Sequence, residues 1–180
     1  ERQHLVTLAV ILGVVTLILY GQVLVFDFIN LDDPDYVYNN QYVRSGITAE
    51  NTVWAFTLHG PGQWHPLTWL SHQLDCELFE LDAGMHHLVN ALFHVANVVL
   101  LFLLLVRMTS ALTPSFLVAA LFAWHPLSVE SVAWVSERRD VLSTCFCFLT
   151  LHAYVSYTRQ GGWRAYGWVM FLFACGLMSK

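Results

Sequence analysis

Charge is what this chain has least of. Only 12% of its 180 residues are charged while 57% are apolar, and a soluble domain carries about 25% charged residues. That balance excludes an ordinary water-soluble globule. Basic residues are scarcer than acidic ones, 8 against 13, and the resulting net charge of −5 argues against a nucleic-acid partner. Cysteine is equally thin. Cys145, Cys147 and Cys175 lie in apolar stretches, where a thiol behaves as a small hydrophobe, and Cys76 stands alone. No disulfide framework, no zinc-finger spacing and no His-Glu-x-x-His pair is present.

What the chain does have is apolar runs. Leu5 to Phe26 gives 22 residues without a charge, enough to cross roughly 30 Å of hydrocarbon at about 1.5 Å per residue. It lacks the small-residue cleavage site of a signal peptide and reads as a retained signal-anchor helix. Further candidate crossings are 88–106, 114–124, 141–157 and 165–178. The third has only 11 residues, opened by Pro114, and so must lean on its neighbours or continue as broken helix. The expected fold is an all-α integral membrane protein, a multi-pass bundle of five crossings, with a partly helical outer loop over 29–85.

The connectors suggest an orientation. With the N-terminus cytoplasmic, the inner segments hold Arg2, Arg107, Arg159 and Arg164 with Glu1 as their only acid. The outer segments hold Arg44, Arg138 and Arg139 and the other 12 acidic residues. Short basic loops stay inside, although Lys180 evens the count of basic groups at four against four.

Inside the outer loop, 30–40 is a turn-rich acidic segment and Thr48 to Leu58 reads as a short helix. Pro66 to Phe79 sets Leu67, Leu70, Leu74 and Leu78 at helical spacing beside Trp69. Tryptophan-bearing amphipathic helices of this kind suit the membrane interface, so the loop is expected to lie on the bilayer as a folded cap.

Several polar residues are not explained by burial. Asp32 and Asp33 follow the first crossing closely. They make either an acidic turn leading into Pro34 or a carboxylate pair, in which one member can accept a proton near neutrality because two adjacent charges resist each other. His87, Asn90, His94 and Asn97, in steps of three, four and three, line one helix face with His86 beside it. Such a stripe serves either interhelical hydrogen bonds or a polar cavity, and the former fits Asn97 better. In the connector 124–140, Glu130, Trp134 and Glu137 are spaced for one face of a short helix. Arg138 and Arg139 stand against the positive-inside bias, neutralised by Glu137 and Asp140 or reserved for an anion such as phosphate. The tetrapeptide Trp-His-Pro-Leu occurs at 64–67 and again at 124–127, a repeated stop-and-turn device. Together these features point to a site at the outer membrane interface for an anionic, lipid-borne molecule.

An ordered set of motifs carries a resemblance. Phe28-x-x-x-Asp32-Asp33-x-x-Tyr36-Val37 is followed by His65-Pro66-Leu67-Thr68 and His86-His87-x-x-Asn90. His125-Pro126-Leu127-x-x-Glu130 and Arg138-x-Asp140-Val141-Leu142 complete it. From about Tyr20 to Lys180 the chain resembles the N-terminal membrane part of the transmembrane and tetratricopeptide-repeat-containing O-mannosyltransferases, nearest their bacterial relatives, within the GT-C glycosyltransferase superfamily. The resemblance implies a polyprenyl-phosphate sugar donor, an exported acceptor protein, a bilayer and an extracytoplasmic active face, in a bacterial inner membrane. It implies further helices and helical repeats in the whole protein. By the same matching Asp32 is the catalytic base, assisted by Asp33, and Arg138 with Arg139 binds the donor phosphate. His65, His86, His87, Asn90, His125, Glu130, Glu137 and Asp140 would shape the site. No motif requires a cofactor, and a divalent metal is left open. A different class of function, a non-catalytic membrane scaffold using its cap to hold a partner, fits the same residues. A metal site from His65, His72, His86 and His87 ranks lower for want of tight ligand spacing.

Overall fold

The computed structural model describes residues 2–57 and 64–180, and every regular element among them is helical. Helix α1 (Arg2–Tyr20) continues through a 3₁₀ turn, Gly21–Val25. Helices α2 (Gln41–Arg44), α3 (Ala49–Phe56) and α4 (Pro66–Phe79) belong to the long loop, where they follow a π-helical turn, Pro34–Tyr38. Helix α5 spans Ala83–Thr109 and α6 spans Leu112–Trp124. After α7 (Ser128–Ala133) and a 3₁₀ turn, Val135–Glu137, come α8 (Arg138–Gln160) and α9 (Trp163–Leu177). Leu58, the expected end of the third helix, lies outside the described residues.

Three stretches are long and apolar enough to cross a membrane: Arg2–Val25, Ala83–Thr109 and Val135–Gln160. The 13 residues of α6 are apolar but rise only about 20 Å. Pro114 is its third residue, still in the first turn, where a missing N–H costs no helical bond.

Contacts fix the directions of these helices. Gly13 lies against Val95 and Val99, and Gly84 against the Leu24 carbonyl, so α1 and α5 run antiparallel. Asn97 donates to the Val141 carbonyl and Arg107 to that of His152, so α5 and α8 run parallel. Small residues let the backbones approach in the middle of the bundle, where Ala119, Ala120 and Ala123 pack on Leu12, Val98 and Phe102. Lipid offers no hydrophobic drive between helices, so such close packing has to supply it.

One end of the bundle gathers Arg107 and Arg159, whose guanidinium donates to the Arg107 carbonyl at 2.7 Å. The opposite end gathers the long loop, the 125–140 connector and the last residues, where Thr68 donates to the Ser179 carbonyl at 2.8 Å. The acidic bias of the sequence is thus a property of one physical end. There the loop forms a cap with its own core of Tyr36, Val37, Val43, Ala55, Trp69, Cys76 and Val135. Its short helices are fixed by side-chain caps, Asn40 accepting from Tyr42 N and Thr48 from Asn51 N.

Helix α4 is built inside out. Leu74 and Leu78 are 45% and 61% exposed, while Thr68, Trp69, His72, Gln73, Asp75 and Cys76 are buried. Of the leucine stripe, Leu74 and Leu78 face away from the cap while Leu70 packs against its core, and the polar face turns inward toward α5 and α8. A second expectation is corrected. Glu130, Trp134 and Glu137 do not share one helix face, because α7 ends at Ala133 and Trp134 is extended. The Trp134 carbonyl is taken by Asn90 Nδ2 at 2.8 Å, which turns the chain and sends Glu137 elsewhere.

Candidate active site at the acidic end of the bundle

Arg138 opens α8 and is fully buried. An isolated buried guanidinium is prohibitively costly, so its donors must be met. Nη2 donates to Asp75 Oδ2 at 2.6 Å and to the His86 carbonyl at 2.9 Å, Nη1 to Ser71 Oγ at 2.7 Å, and Nε to Asn90 Oδ1. Its face also lies 5.8 Å from the Phe93 ring centroid. One side chain therefore ties α4, α5 and α8 together. The sequence offered neutralisation by Glu137 and Asp140 or an open anion site, but the neutralising carboxylate is Asp75.

Arg139 is one residue on, about 100° around the helix, and emerges at the edge of the cap. Nη2 pairs with Glu137 Oε1 at 2.5 Å and Nη1 donates to the Tyr36 hydroxyl at 3.3 Å. Burial pushes the Tyr36 phenol above its ordinary range. Arg139 opposes that shift, and the nearby Asp32 carboxylate reinforces it. The phenol thus responds to both the acidic loop and the start of α8.

The two loop carboxylates divide their work. Asp33 is buried; its Oδ1 accepts from Ser136 N at 3.0 Å and from Ser136 Oγ, and its Oδ2 accepts from Ile29 N at 2.8 Å. It clamps the loop to the turn just before Arg138. Asp32 is half-buried, and its carboxylate has no hydrogen bond among the described residues.

Imidazoles line the space between cap and bundle. His65 packs against both Tyr36 and Trp69, with ring centroids 5.5 and 4.9 Å away, and those two rings also stack on each other at 4.8 Å. Burial, with Arg139 nearby, lowers its pKa to about 4. His72 is held well below its ordinary value, first by burial and then by Arg138. The stripe on α5 acts on backbone carbonyls. His86 reaches Glu80 O at 3.1 Å, His87 Asp27 O at 3.3 Å, His94 Ala123 O at 3.0 Å and Asn97 Val141 O at 2.8 Å. Both readings of the stripe survive, since it makes interhelical bonds and also walls the polar interior.

Not every expected residue joins this cluster. His125 and Glu130 are exposed on and before α7. Asp140 faces a separate polar groove shared with Ser131, His94 and Lys180, whose Nζ is 2.7 Å from its Oδ1. The repeated Trp-His-Pro-Leu marks helix boundaries both times but buries His65 and exposes His125.

Comparison with known proteins narrows the reading. Over 123 residues, 65% of this chain and 13% of the relative, the sequence is 35% identical to the mouse protein O-mannosyl-transferase TMTC3. It is 31% identical over 161 residues to mouse protein O-mannosyl-transferase TMTC1, covering 84% of this chain and 17% of the relative. With Drosophila melanogaster protein O-mannosyl-transferase Tmtc2 it shares 33% identity over 132 residues, 66% of this chain and 13% of the relative. Its partial homologues are named protein O-mannosyl-transferases. The chain spans under a fifth of the length of each of these three. No family model matches it, and no solved structure does.

Sequence reasoning missed Asp75, Ser71 and Ser136. Asp75 is the counter-ion of Arg138 from 63 residues away. The signal was present in α4, where Thr68, His72 and Asp75 recur at steps of four and three, a polar stripe to one side of the leucines. A polar stripe facing an apolar one on an interfacial helix marks the side turned to protein.

Proposed function

We propose that this chain carries the active site of a membrane glycosyltransferase. In this reading a mannose-like sugar passes from a polyprenyl-phosphate donor to a Ser or Thr hydroxyl of an exported protein at the extracytoplasmic face. The observation that carries it is at Tyr36, whose hydroxyl accepts from Arg139 and whose backbone N–H donates to the Asp32 carbonyl at 3.0 Å, so that the segment bearing a carboxylate and the helix bearing a cation share one edge of the cap. The similarity to proteins named protein O-mannosyl-transferases supports the reaction class.

The chemistry follows from charge. As the acceptor oxygen bonds to the anomeric carbon, Asp32 takes the hydroxyl proton. The bond from that carbon to the phosphate oxygen breaks, and the lipid phosphate leaves with the electron pair. A preorganised cation at the departing oxygen stabilises the charge that develops there. Arg139 is placed for this role at the cap edge, whereas Arg138 is enclosed and holds the walls. Asp33 positions Asp32 rather than touching substrate, and Glu137 and Tyr36 aim the Arg139 guanidinium.

The test uses the full-length protein in detergent or nanodiscs, a labelled polyprenyl-phosphate mannose and a Ser/Thr-bearing acceptor peptide. Asp32→Asn is expected to lower transfer by about 10²–10⁴-fold, the usual worth of a positioned base. Arg139→Ala is expected to lower it by about 10²–10³-fold. Undiminished transfer in both variants overturns the assignment, and absence of transfer in the unmodified protein establishes the scaffold reading instead.

A further inference from the structure

Buried polar atoms are nearly always paired, yet both ring nitrogens of the fully buried His72 lack a hydrogen-bond partner among the described residues. Beside it, His86 Nδ1 makes no hydrogen bond either and approaches Asp75 Oδ2 at 3.6 Å. Ligand-capable atoms of His72, Asp75 and His86 all lie within 4.8 Å of one another. In a tetrahedral site with bonds of about 2.0–2.1 Å, neighbouring ligand atoms stand about 3.4 Å apart. The His86–Asp75 pair already has nearly that spacing, and a side-chain movement of about an ångström brings in His72.

The surroundings prepare these atoms as ligands. His86 Nε2 faces the Glu80 carbonyl at 3.1 Å. A carbonyl only accepts, so the proton sits on Nε2 and the lone pair on Nδ1 points at the cluster. This is the outer hydrogen bond that orients a metal-bound imidazole. Asp75 is held in place by Arg138 at 2.6 Å. His72 and Asp75 are i and i+3 on α4, hence on one face, and His86 comes from the first turn of α5.

We propose that His72, Asp75 and His86 bind one divalent transition metal, zinc by their nitrogen and oxygen donors, cross-linking the cap to the bundle. Three protein ligands leave a fourth position for water or an anion. An anion suits it best, because two neutral imidazoles and one carboxylate next to Arg138 leave the site positive. The site stands apart from the transferase reading and needs neither Asp32 nor Arg139. It keeps two of the four imidazoles that the sequence suggested; His87 turns instead to the Asp27 carbonyl.

The test is metal content of the full-length protein, purified without chelator from zinc-supplemented cells, for the unmodified chain, His72→Asn, His86→Asn and His65→Asn. About one zinc per chain is expected in the unmodified protein and in His65→Asn, and under about a tenth in the other two. Cobalt loading should give the intense visible absorption of a tetrahedral site in the same two proteins only. Chelation should lower the melting temperature of the unmodified protein and leave that of His72→Asn unchanged. His65 is likewise buried with both ring nitrogens unpaired, so folded His65→Asn protein that loses its metal overturns the three-residue assignment. Unmodified protein that carries no zinc and gives no cobalt spectrum overturns the site altogether.

Discussion

Replacing Arg138 by methionine tests the architecture most directly. The substitution keeps most of the side-chain volume and removes the guanidinium, leaving Asp75 a buried charge and Ser71, Asn90 and the His86 carbonyl without their donor. Taking one partner from a buried pair costs about 3–5 kcal/mol, mostly the desolvation of the group left behind. The Asp75→Leu single variant should cost a similar amount by stranding the arginine. The double variant, Arg138→Met with Asp75→Leu, strands neither charge and should recover at least about 2 kcal/mol relative to the sum of the singles, well above the few tenths expected for independent sites. The assay is equilibrium unfolding of the detergent-solubilised chain stripped of metal by a chelator, so that no ion at Asp75 stands in for the lost guanidinium, followed by helical circular dichroism. Losses below about 1 kcal/mol for Arg138→Met, or strictly additive singles, would refute the buried clamp, since a solvated pair is worth only about 0–1 kcal/mol.

Two further variants probe the cap. Asp33→Ala leaves the Ser136 and Ile29 amides unpaired and should cost about 1–3 kcal/mol; its transfer rate should fall beyond what the folded fraction explains, whereas a purely structural Asp33 would leave the rate per folded molecule unchanged. His65 titrates near 4 in the fold against 6.5 when unfolded, so acid favours unfolding. The stability present above pH 6.5 should shrink as pH falls toward 4, by at most about 3 kcal/mol. In melts at pH 7 and pH 4.5, His65→Phe should lose less stability on acidification than the unmodified chain, and equal losses would refute the buried neutral imidazole.

The helices of this fold were legible because apolar runs report burial in lipid as readily as in protein. Pro66 marked the start of α4 for the same local reason that proline always favours a first turn. The inward face of α4 was harder to read. In water Leu74 and Leu78 would mark the core, but at a membrane interface the apolar stripe can face lipid and the polar one protein. That inversion hid Asp75, and with it the reason for a fully buried arginine at the start of α8. The end of α7 was hidden for another reason: nothing near Trp134 says that Asn90, 44 residues earlier, will take its carbonyl. Asp32 and Asp33 are adjacent in sequence and equivalent in composition, and only the fold distinguishes the clamp from the half-buried carboxylate beside it.

The Arg138-Arg139 dipeptide shows how such a site can be both rigid and open. Two residues about 100° apart on a helix cannot face the same way, so burying the first presents the second at the cap edge. Arg138 is locked by α4 and α5, and this locks the first turn of α8, from which Arg139 projects. Two residues earlier Ser136 is gripped by Asp33, which brings Asp32 into the same rigid unit. The position of Asp32 relative to Arg139 is thus set by buried groups that need never meet a substrate. Electrostatic catalysis gains when its charges require no reorganisation at the moment of reaction. In the proposed transferase, buried clamps at Arg138 and Asp33 would meet that condition while their sequence neighbours, Arg139 and Asp32, stay only partly buried at the cap edge.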